Sequence, residues 1–241
     1  MTSALFLGFT ALVASAVIAA AGYAFSRRAA LATAAVLAAW FGFVSALALS
    51  GVIRNVGYMP PGITYVVGPA VVFVALFFVR SPIGGRVSLA FPIWALVAFE
   101  SYRAGVESFL HQLSLQGLVP KMLTFEGANT DLYVALSAPL VAWIATRGRV
   151  GLRVALVWNV LGILSLANVA IRSVLTAPGP LHAIHTDVAN VAFGMFPYTF
   201  VAGFFAPLAL GVHALAIRAI RSRLRAERPE PATRAGLRAL A

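Results

Sequence analysis

Four ionisable side chains recur at helical spacing within one apolar stretch of the sequence. Glu100, Arg103, Glu107 and His111 are separated by three, four and four residues. At 100° per residue these side chains fall within an arc of about 80° and form a stripe roughly 16 Å long on one helix face. Such a stripe can bind a polar solute or exchange a proton. We therefore take Glu100, Arg103 and Glu107 as binding candidates, and Glu107 also as a catalytic candidate.

The stripe is expected to avoid contact with lipid. A charged side chain at the centre of a spanning helix costs roughly 2.5–3.5 kcal/mol on insertion scales. The four side chains should therefore face the interior of a helix bundle or a water-filled cavity. A purely structural alternative stays open, because Arg103 can pair with Glu100 and with Glu107 inside its own helix.

A later apolar stretch offers a partner face for this stripe. Ser165, Asn168 and Arg172 follow one another at steps of three and four residues and share one side of a helix. Arg172 falls at about the depth of Glu107, which predicts an ion pair between the two helices. Asn168 and Arg172 are therefore binding candidates, although an asparagine in a spanning helix often makes only an ordinary inter-helix hydrogen bond.

The segment between these two stretches carries three more candidates. Asn129 suits the N-cap of a following helix and Asp131 suits its first turn, so capping explains both without any function. Capping does not explain Glu126, which precedes a glycine. We take Glu126 as a candidate general base, and Asn129 and Asp131 as candidate binding residues.

A further connecting segment predicts a metal site. His182 and His185 are three residues apart, and Asp187 follows two residues later. Imidazole and carboxylate ligands suit zinc or another divalent ion. His111 or Glu107 from the stripe could complete a site with three or four ligands. The spacing matches no established zinc signature, so an ordinary loop with two surface histidines is the alternative.

The composition indicates that the elements positioning these residues lie in a membrane. The chain has 241 residues, of which 61% are hydrophobic and 10% are charged, and its mean hydropathy is +0.92. Soluble domains are roughly 45–50% apolar and about 25% charged. The sequence has no cysteine, which excludes disulfides, thiolate metal sites and cysteine nucleophiles.

Seven apolar stretches approach the length of about 20 residues that a spanning helix needs. They predict an all-α fold, a polytopic seven-transmembrane-helix bundle over residues 1–217, followed by a basic cytoplasmic tail over residues 218–241. The stripe lies on the fourth span and Asn168 lies on the sixth. The predicted spans are 4–25, 29–52, 62–79, 87–115, 131–146, 152–175 and 191–217.

Basic residues predict the orientation of these spans. The net charge is +11, and the Arg residues between spans collect on one side together with the tail, while Arg54 and Lys121 stand alone on the other. The positive-inside rule then places the N-terminus outside and the C-terminus in the cytoplasm. The same rule explains the basic charge, so we expect membrane lipids and no nucleic acid as partners. On this topology His213 approaches the cytoplasmic end.

Three functions are compatible with the sequence of this integral membrane protein, which we expect in a bacterial cytoplasmic (inner) membrane. The first is binding or transport of a small solute, lipid or proton at an outward-facing polar site. The second is a metal-dependent hydrolase acting at the outer leaflet, and the third is a non-catalytic scaffold or subunit. A histidine loop folded onto Glu107 and His111 would favour the hydrolase, whereas a stripe that lines a cavity would favour binding or transport.

Overall fold

A computed structural model describes residues 2–226, and all regular secondary structure in that range is helical. The α-helices are joined in several places by short 3₁₀ or π turns. Their bounds are α1 Thr2–Ala24, α2 Arg27–Leu49, α3 Thr64–Phe73, α4 Pro82–Ala90, α5 Ile93–Phe99, α6 Arg103–Leu115, α7 Asp131–Ala145, α8 Gly148–Thr176 and α9 Ala206–Ala226.

Four helical segments are long and apolar enough to cross a membrane. They are α1, α2, α8 and the segment Val201–Ala226, which starts with a π-helical turn, Val201–Phe205, and continues as α9. A fifth results if α4 and the helix Thr64–Arg80, which are bent by 76° at Ser81, are counted as one span. Apolar helices of this length are typical of an integral membrane bundle.

The predicted fourth span begins later than its sequence suggested. A helix starting at 87 was wrong, because Phe91 and Pro92 adopt extended backbone conformations between α4 and α5, and proline cannot continue an incoming helix. From Ile93 onward, α5, a 3₁₀ turn (Glu100–Tyr102) and α6 follow one another without a break. This continuous stretch is about 34 Å long, and Arg103 lies near its middle.

The predicted seventh span is displaced toward the C-terminus. Residues 191–200 do not start the long helix, because the backbone N–H groups of Val191 and Ala192 donate to the carbonyl of Leu118 at 3.2 and 3.1 Å. At the other end, α9 continues past the predicted start of the tail at 218, and Ala219 and Ile220 are buried. The rest of the predicted tail, 227–241, lies outside the described residues.

The connection between α6 and α7 folds into the bundle. Val119, Leu123, Thr124 and Asn129 in this connection are all buried. The connection is therefore enclosed by protein although it is not helical throughout. As a consequence α7 is short and begins inside the bundle, with Asp131 as its first residue.

The hairpin of α1 and α2 packs against the start of the last helix. The ring of Phe6 meets the ring of Phe205 edge-on at a centroid distance of 5.7 Å. The indole N–H of Trp40 donates to the carbonyl of Gly203 at 2.7 Å. The hydroxyl of Tyr102 donates to the carbonyl of Phe205 at 2.9 Å. Both carbonyls belong to the π-helical turn, a type of distortion that often occurs at functional sites.

Candidate functional site

Arg103 lies at the centre of a buried polar cluster contributed by several helices. Its side chain is almost fully buried, and its Nη2 atom forms an ion pair with the carboxylate of Asp131 at the start of α7. Its Nη1 atom donates to Nε2 of His213 on α9 at 3.1 Å and lies 3.7 Å from Oε2 of Glu100. One guanidinium therefore joins α6, α7 and α9 near the middle of the bundle.

The hydrogen bonds of His213 fix the tautomer of its imidazole. Because a guanidinium has only donors, Nε2 of His213 accepts and the ring proton lies on Nδ1. That Nδ1–H donates to Oδ1 of Asn159 at 2.9 Å, and Nδ2 of Asn159 donates to the carbonyl of Ala155 at 2.8 Å. The ring fits against α8 only because position 162 is glycine, where a Cβ would lie 2.4 Å from the His213 ring.

Asp131 receives a second set of donors from α8. The hydroxyl of Ser165 donates to Oδ1 of Asp131 at 2.5 Å. The Thr130 and Ser165 hydroxyl oxygens are 2.6 Å apart, and Thr130 must donate because Ser165 has already given its one proton. The carboxylate of Asp131 is therefore held between a guanidinium and a short relay of hydroxyl groups.

Asn129 links Glu107 to the start of α7. Its Nδ2 atom donates to Oε2 of Glu107 at 2.7 Å and to the carbonyl of Leu123 at 3.0 Å. Its Oδ1 atom accepts the backbone N–H of Asp131 at 2.8 Å. The capping role that the sequence suggested for Asn129 thus coexists with a direct contact to the stripe.

Glu100 is the least satisfied member of the cluster. Its side chain is fully buried, and neither carboxyl oxygen has a hydrogen-bond partner among residues 2–226. Oε2 lies 3.7 Å from both Nη1 of Arg103 and Nε2 of His213. The buried cluster therefore contains three carboxyl groups, those of Glu100, Glu107 and Asp131, but only one guanidinium and a neutral imidazole. Unless the cluster takes up protons or a cation, it carries uncompensated negative charge, which is costly in a buried site.

A cavity of about 380 Å³ ends on this cluster. Its walls come mainly from α6, α8, the connection between α8 and α9, and the start of α9, and they are predominantly apolar. Arg103, Glu107 and Asp131 are its charged lining inside the bundle, whereas Arg54 lines it next to the connection after α2. Glu100 does not line the cavity and lies behind Arg103.

Asn168 and Arg172 form a separate polar contact on α8. Nδ2 of Asn168 donates to the carbonyl of Ala128 at 2.8 Å, and Nε of Arg172 donates to Oδ1 of Asn168 at 2.8 Å. The predicted Glu107–Arg172 pair was wrong, because the connection before α7 folds inward and brings Asn129 to Glu107. The two α8 residues thus hold this inward connection in place and do not contact the stripe directly.

The metal-ligand candidates His111, His182, His185 and Asp187 do not converge on one site in the described part of the chain. Nδ1 of His111 is 3.9 Å from Oε1 of Glu126, whose other oxygen is 3.1 Å from Nζ of Lys121. The rings of His182 and His185 pack edge-on at 4.6 Å in the connection before α9. Within residues 2–226 no group of three or more His, Cys, Asp or Glu side chains is close enough to hold a metal ion, so Asp187 completes no such group.

His213 and Asn159 are the site residues that the sequence did not single out. His213 was expected near the cytoplasmic end, because the last span was assumed to stop at 217. The helix continues to Ala226, so His213 lies near its middle. One signal was present, since Asn159, Gly162 and Ser165 recur every three residues on α8 and mark a face of small and polar side chains.

The comparisons with known proteins are consistent with a site built by the later helices. No curated protein and no solved structure matches the chain. A family model described as Domain of unknown function (DUF8737) matches residues 60–221. That range includes every residue of the cluster from Glu100 to His213, whereas α1 and α2 precede it. The chain thus belongs to the DUF8737 family.

Proposed function

We propose that the chain crosses the membrane seven times, with its N-terminus outside and its C-terminus in the cytoplasm of a bacterium. The crossings would be α1, α2, the helix Thr64–Arg80 that starts with α3, the continuous stretch of α5 and α6, α7, α8 and α9, with α4 at the cytoplasmic end. The arginines at the α1–α2, α3–α4 and α7–α8 connections support this orientation through the positive-inside rule. Arg218 on α9 supports placing the end of the helix Thr64–Arg80 and the later part of α9 on the same side of the membrane. Its Nη1 atom donates to the carbonyls of Phe78 and Val79 at 2.7 and 2.8 Å.

In this orientation the protein binds a small amphipathic solute or a single lipid chain at an outward-facing site. The observation that carries the proposal is the cavity of about 380 Å³, whose apolar walls end on Arg103, Glu107 and Asp131. Its volume is in the range of about 300–1,000 Å³ that is typical of small-molecule sites. The walls would take the apolar body of the ligand, and the charged end would take its polar group.

The charge balance of the cluster supports coupling to a proton or another small cation. A ligand group that binds Arg103 or Asp131 would weaken the ion pair between them. It would also change the charge around Glu100, whose contacts with Arg103 and His213 are the longest in the cluster. Glu100 would then bind or release a proton as the ligand enters. Toward the cytoplasm, tightly packed apolar side chains that include Val97, Ala155 and Ile220 separate the cluster from the opposite end.

A cavity-filling substitution tests the proposal. Ala170→Phe on α8 would fill the cavity that Ala170 lines, whereas Leu161→Phe, on the opposite face of the same helix and outside the cavity, is the matched control. Binding of radiolabelled dodecanoate and dodecylamine to detergent-purified full-length protein would be measured by equilibrium dialysis. We expect saturable binding of one probe that is reduced about tenfold by Ala170→Phe, equivalent to about 1.4 kcal/mol, and retained in Leu161→Phe. Equal binding by both variants and the wild type would exclude this cavity as the site.

The alternatives receive less support from the geometry. The hydrolase requires the histidines near 182–185 to join Glu107 or His111, and no such group of ligands forms among the described residues. The scaffold requires the stripe to be closed by dry packing, and part of the stripe instead lines a cavity. Binding or transport therefore remains the proposal that explains the most contacts.

A further inference from the structure

Four arginines from two helices converge on one cleft at the arginine-rich end of the bundle. Arg149 and Arg153 are four residues apart near the start of α8, and Arg221 and Arg225 are four residues apart near the end of α9. Residues at this spacing share a helix face. Together with Leu224 they line a cleft of about 290 Å³.

Positive charge from both helices is concentrated in this cleft. Like charges four residues apart destabilise a helix, and the start of α8 already carries the positive end of the helix dipole. Among residues 2–226, Arg153, Arg221 and Arg225 form no ion pair. An anion in the cleft would relieve the repulsion between the guanidinium groups, and the N-terminus of α8 would add to its attraction.

The depth of the cleft matches that of lipid phosphates. His213 and Asn159 meet in the buried cluster near the middle of the bundle. At 1.5 Å per residue, Arg221 and Arg225 lie about 12–18 Å beyond His213, and the α8 arginines lie about 9–15 Å beyond Asn159. Half of the hydrocarbon thickness is about 15 Å, so the cleft falls at the boundary between acyl chains and headgroups.

A neighbouring aromatic residue is consistent with the same boundary. The exposed ring of Trp143 stacks with the guanidinium of Arg147 at 4.0 Å. Tryptophan is enriched where a bundle leaves the hydrocarbon region. Trp143 and Arg147 lie at the C-terminal end of α7, directly before the helix that supplies Arg149 and Arg153.

We propose that this arginine cleft binds the phosphate of an anionic phospholipid headgroup. Guanidinium groups bind phosphate oxygens through two parallel hydrogen bonds, and basic pockets between spanning helices bind anionic headgroups. The bound lipid would bridge α8 and α9 on the cytoplasmic side of their contact. This site is separate from the cavity, so it does not depend on the solute-binding proposal.

The test compares two lipids with the same acyl chains. Full-length protein in a neutral detergent would be titrated with dioleoylphosphatidylglycerol or dioleoylphosphatidylcholine, and retained lipid would be counted by native mass spectrometry. Arginines near a headgroup attract anionic lipid over zwitterionic lipid, so we expect a preference of about tenfold or more for phosphatidylglycerol. The Arg153→Gln/Arg225→Gln variant should lose this preference. The control Arg27→Gln/Arg28→Gln, at the start of α2, should keep it.

Three results would overturn the proposal. The first is an equal loss in both variants, which would indicate general surface charge. The second is displacement of phosphatidylglycerol by millimolar inorganic phosphate, which would indicate a site for free anions. If the glutamine variant does not survive purification, Arg153→Lys/Arg225→Lys takes its place. This variant keeps the charge but removes the two-donor geometry of the guanidinium groups. It should still lower the preference for phosphatidylglycerol. An undiminished preference in that variant is the third contrary result.

Discussion

Nη1 of Arg103 lies 3.1 Å from Nε2 of His213, and the other ring nitrogen of His213 lies 2.9 Å from Oδ1 of Asn159. The donor and the acceptor of both hydrogen bonds are fixed, because arginine can only donate and the amide oxygen of asparagine can only accept. The bundle thus connects α6, α9 and α8 through a fully buried imidazole that uses both of its nitrogens. Removal of any member leaves a buried polar group without its partner.

We predict that His213 and Asn159 are energetically coupled. Asn159→Leu leaves the Nδ1–H of His213 without an acceptor and should lower the free energy of unfolding by about 1–3 kcal/mol. The double variant Asn159→Leu/His213→Leu should lose less free energy of unfolding than the sum of the losses in the two single variants. We expect this coupling energy to be at least about 0.5 kcal/mol. Unfolding in mixed micelles measures these values. Asn168→Leu is the control, since Asn168 does not contact His213, and its effect should be additive.

We predict that Arg103 and Asp131 depend on each other. Arg103→Met leaves the buried Asp131 carboxylate without its ion pair and should destabilise the protein by about 3–5 kcal/mol. The double variant Arg103→Met/Asp131→Leu removes both charges and should recover most of that loss. Thermal unfolding followed by size exclusion checks both. A double variant that is less stable than Arg103→Met alone would contradict the assigned pair.

We predict that Gly162 cannot be enlarged without disturbing His213. A Cβ at position 162 would lie 2.4 Å from Cε1 and 2.5 Å from Nε2 of that ring. Gly162→Ala should therefore lower the free energy of unfolding by about 1–3 kcal/mol. Gly42→Ala on α2 is the control, because its new methyl group would meet nothing within 4 Å. That control should be neutral or slightly stabilising, by up to about 1 kcal/mol.

We predict that elemental mass spectrometry finds no stoichiometric zinc or other transition metal in the purified protein. The reason is that, among residues 2–226, His111 lies beside Glu126, His182 packs against His185, and no three His, Cys, Asp or Glu side chains come together. The variant His182→Ala/His185→Ala should then match the wild type in metal content. Near-stoichiometric metal that is lost in the variant would make the outer-leaflet hydrolase the leading hypothesis.

Apolar length predicted the long helices whose side chains are mostly unburied. The boundaries of α1, α2 and α8 agree with the predicted spans to within a few residues, because long apolar runs between charged or capping residues leave little freedom. The prediction failed where the chain leaves regular helix inside the bundle. Hydropathy alone does not separate a buried apolar connection such as 191–200 from a spanning helix.

The candidate site was predictable in part for a similar reason. The cost of charge in lipid required Glu100, Arg103 and Glu107 to turn away from lipid, and the structure buries all three. Their partners depend on which helices meet, and a single sequence does not contain that information. Arg103 therefore pairs with Asp131 and His213 on other helices, in addition to its 3.7 Å contact with Glu100 in its own helical stretch.

The contact between Trp40 and Gly203 has a consequence for how the protein is made. The indole donor lies on the second helix and its acceptor lies 163 residues further along the chain. At about 5–20 residues per second, translation separates the two groups by roughly 8–30 s. The N-terminal hairpin therefore enters the bilayer long before the helix on which it docks exists. During that interval the face of the hairpin that carries Trp40 contacts lipid or the insertion machinery. It packs against the rest of the protein only afterwards.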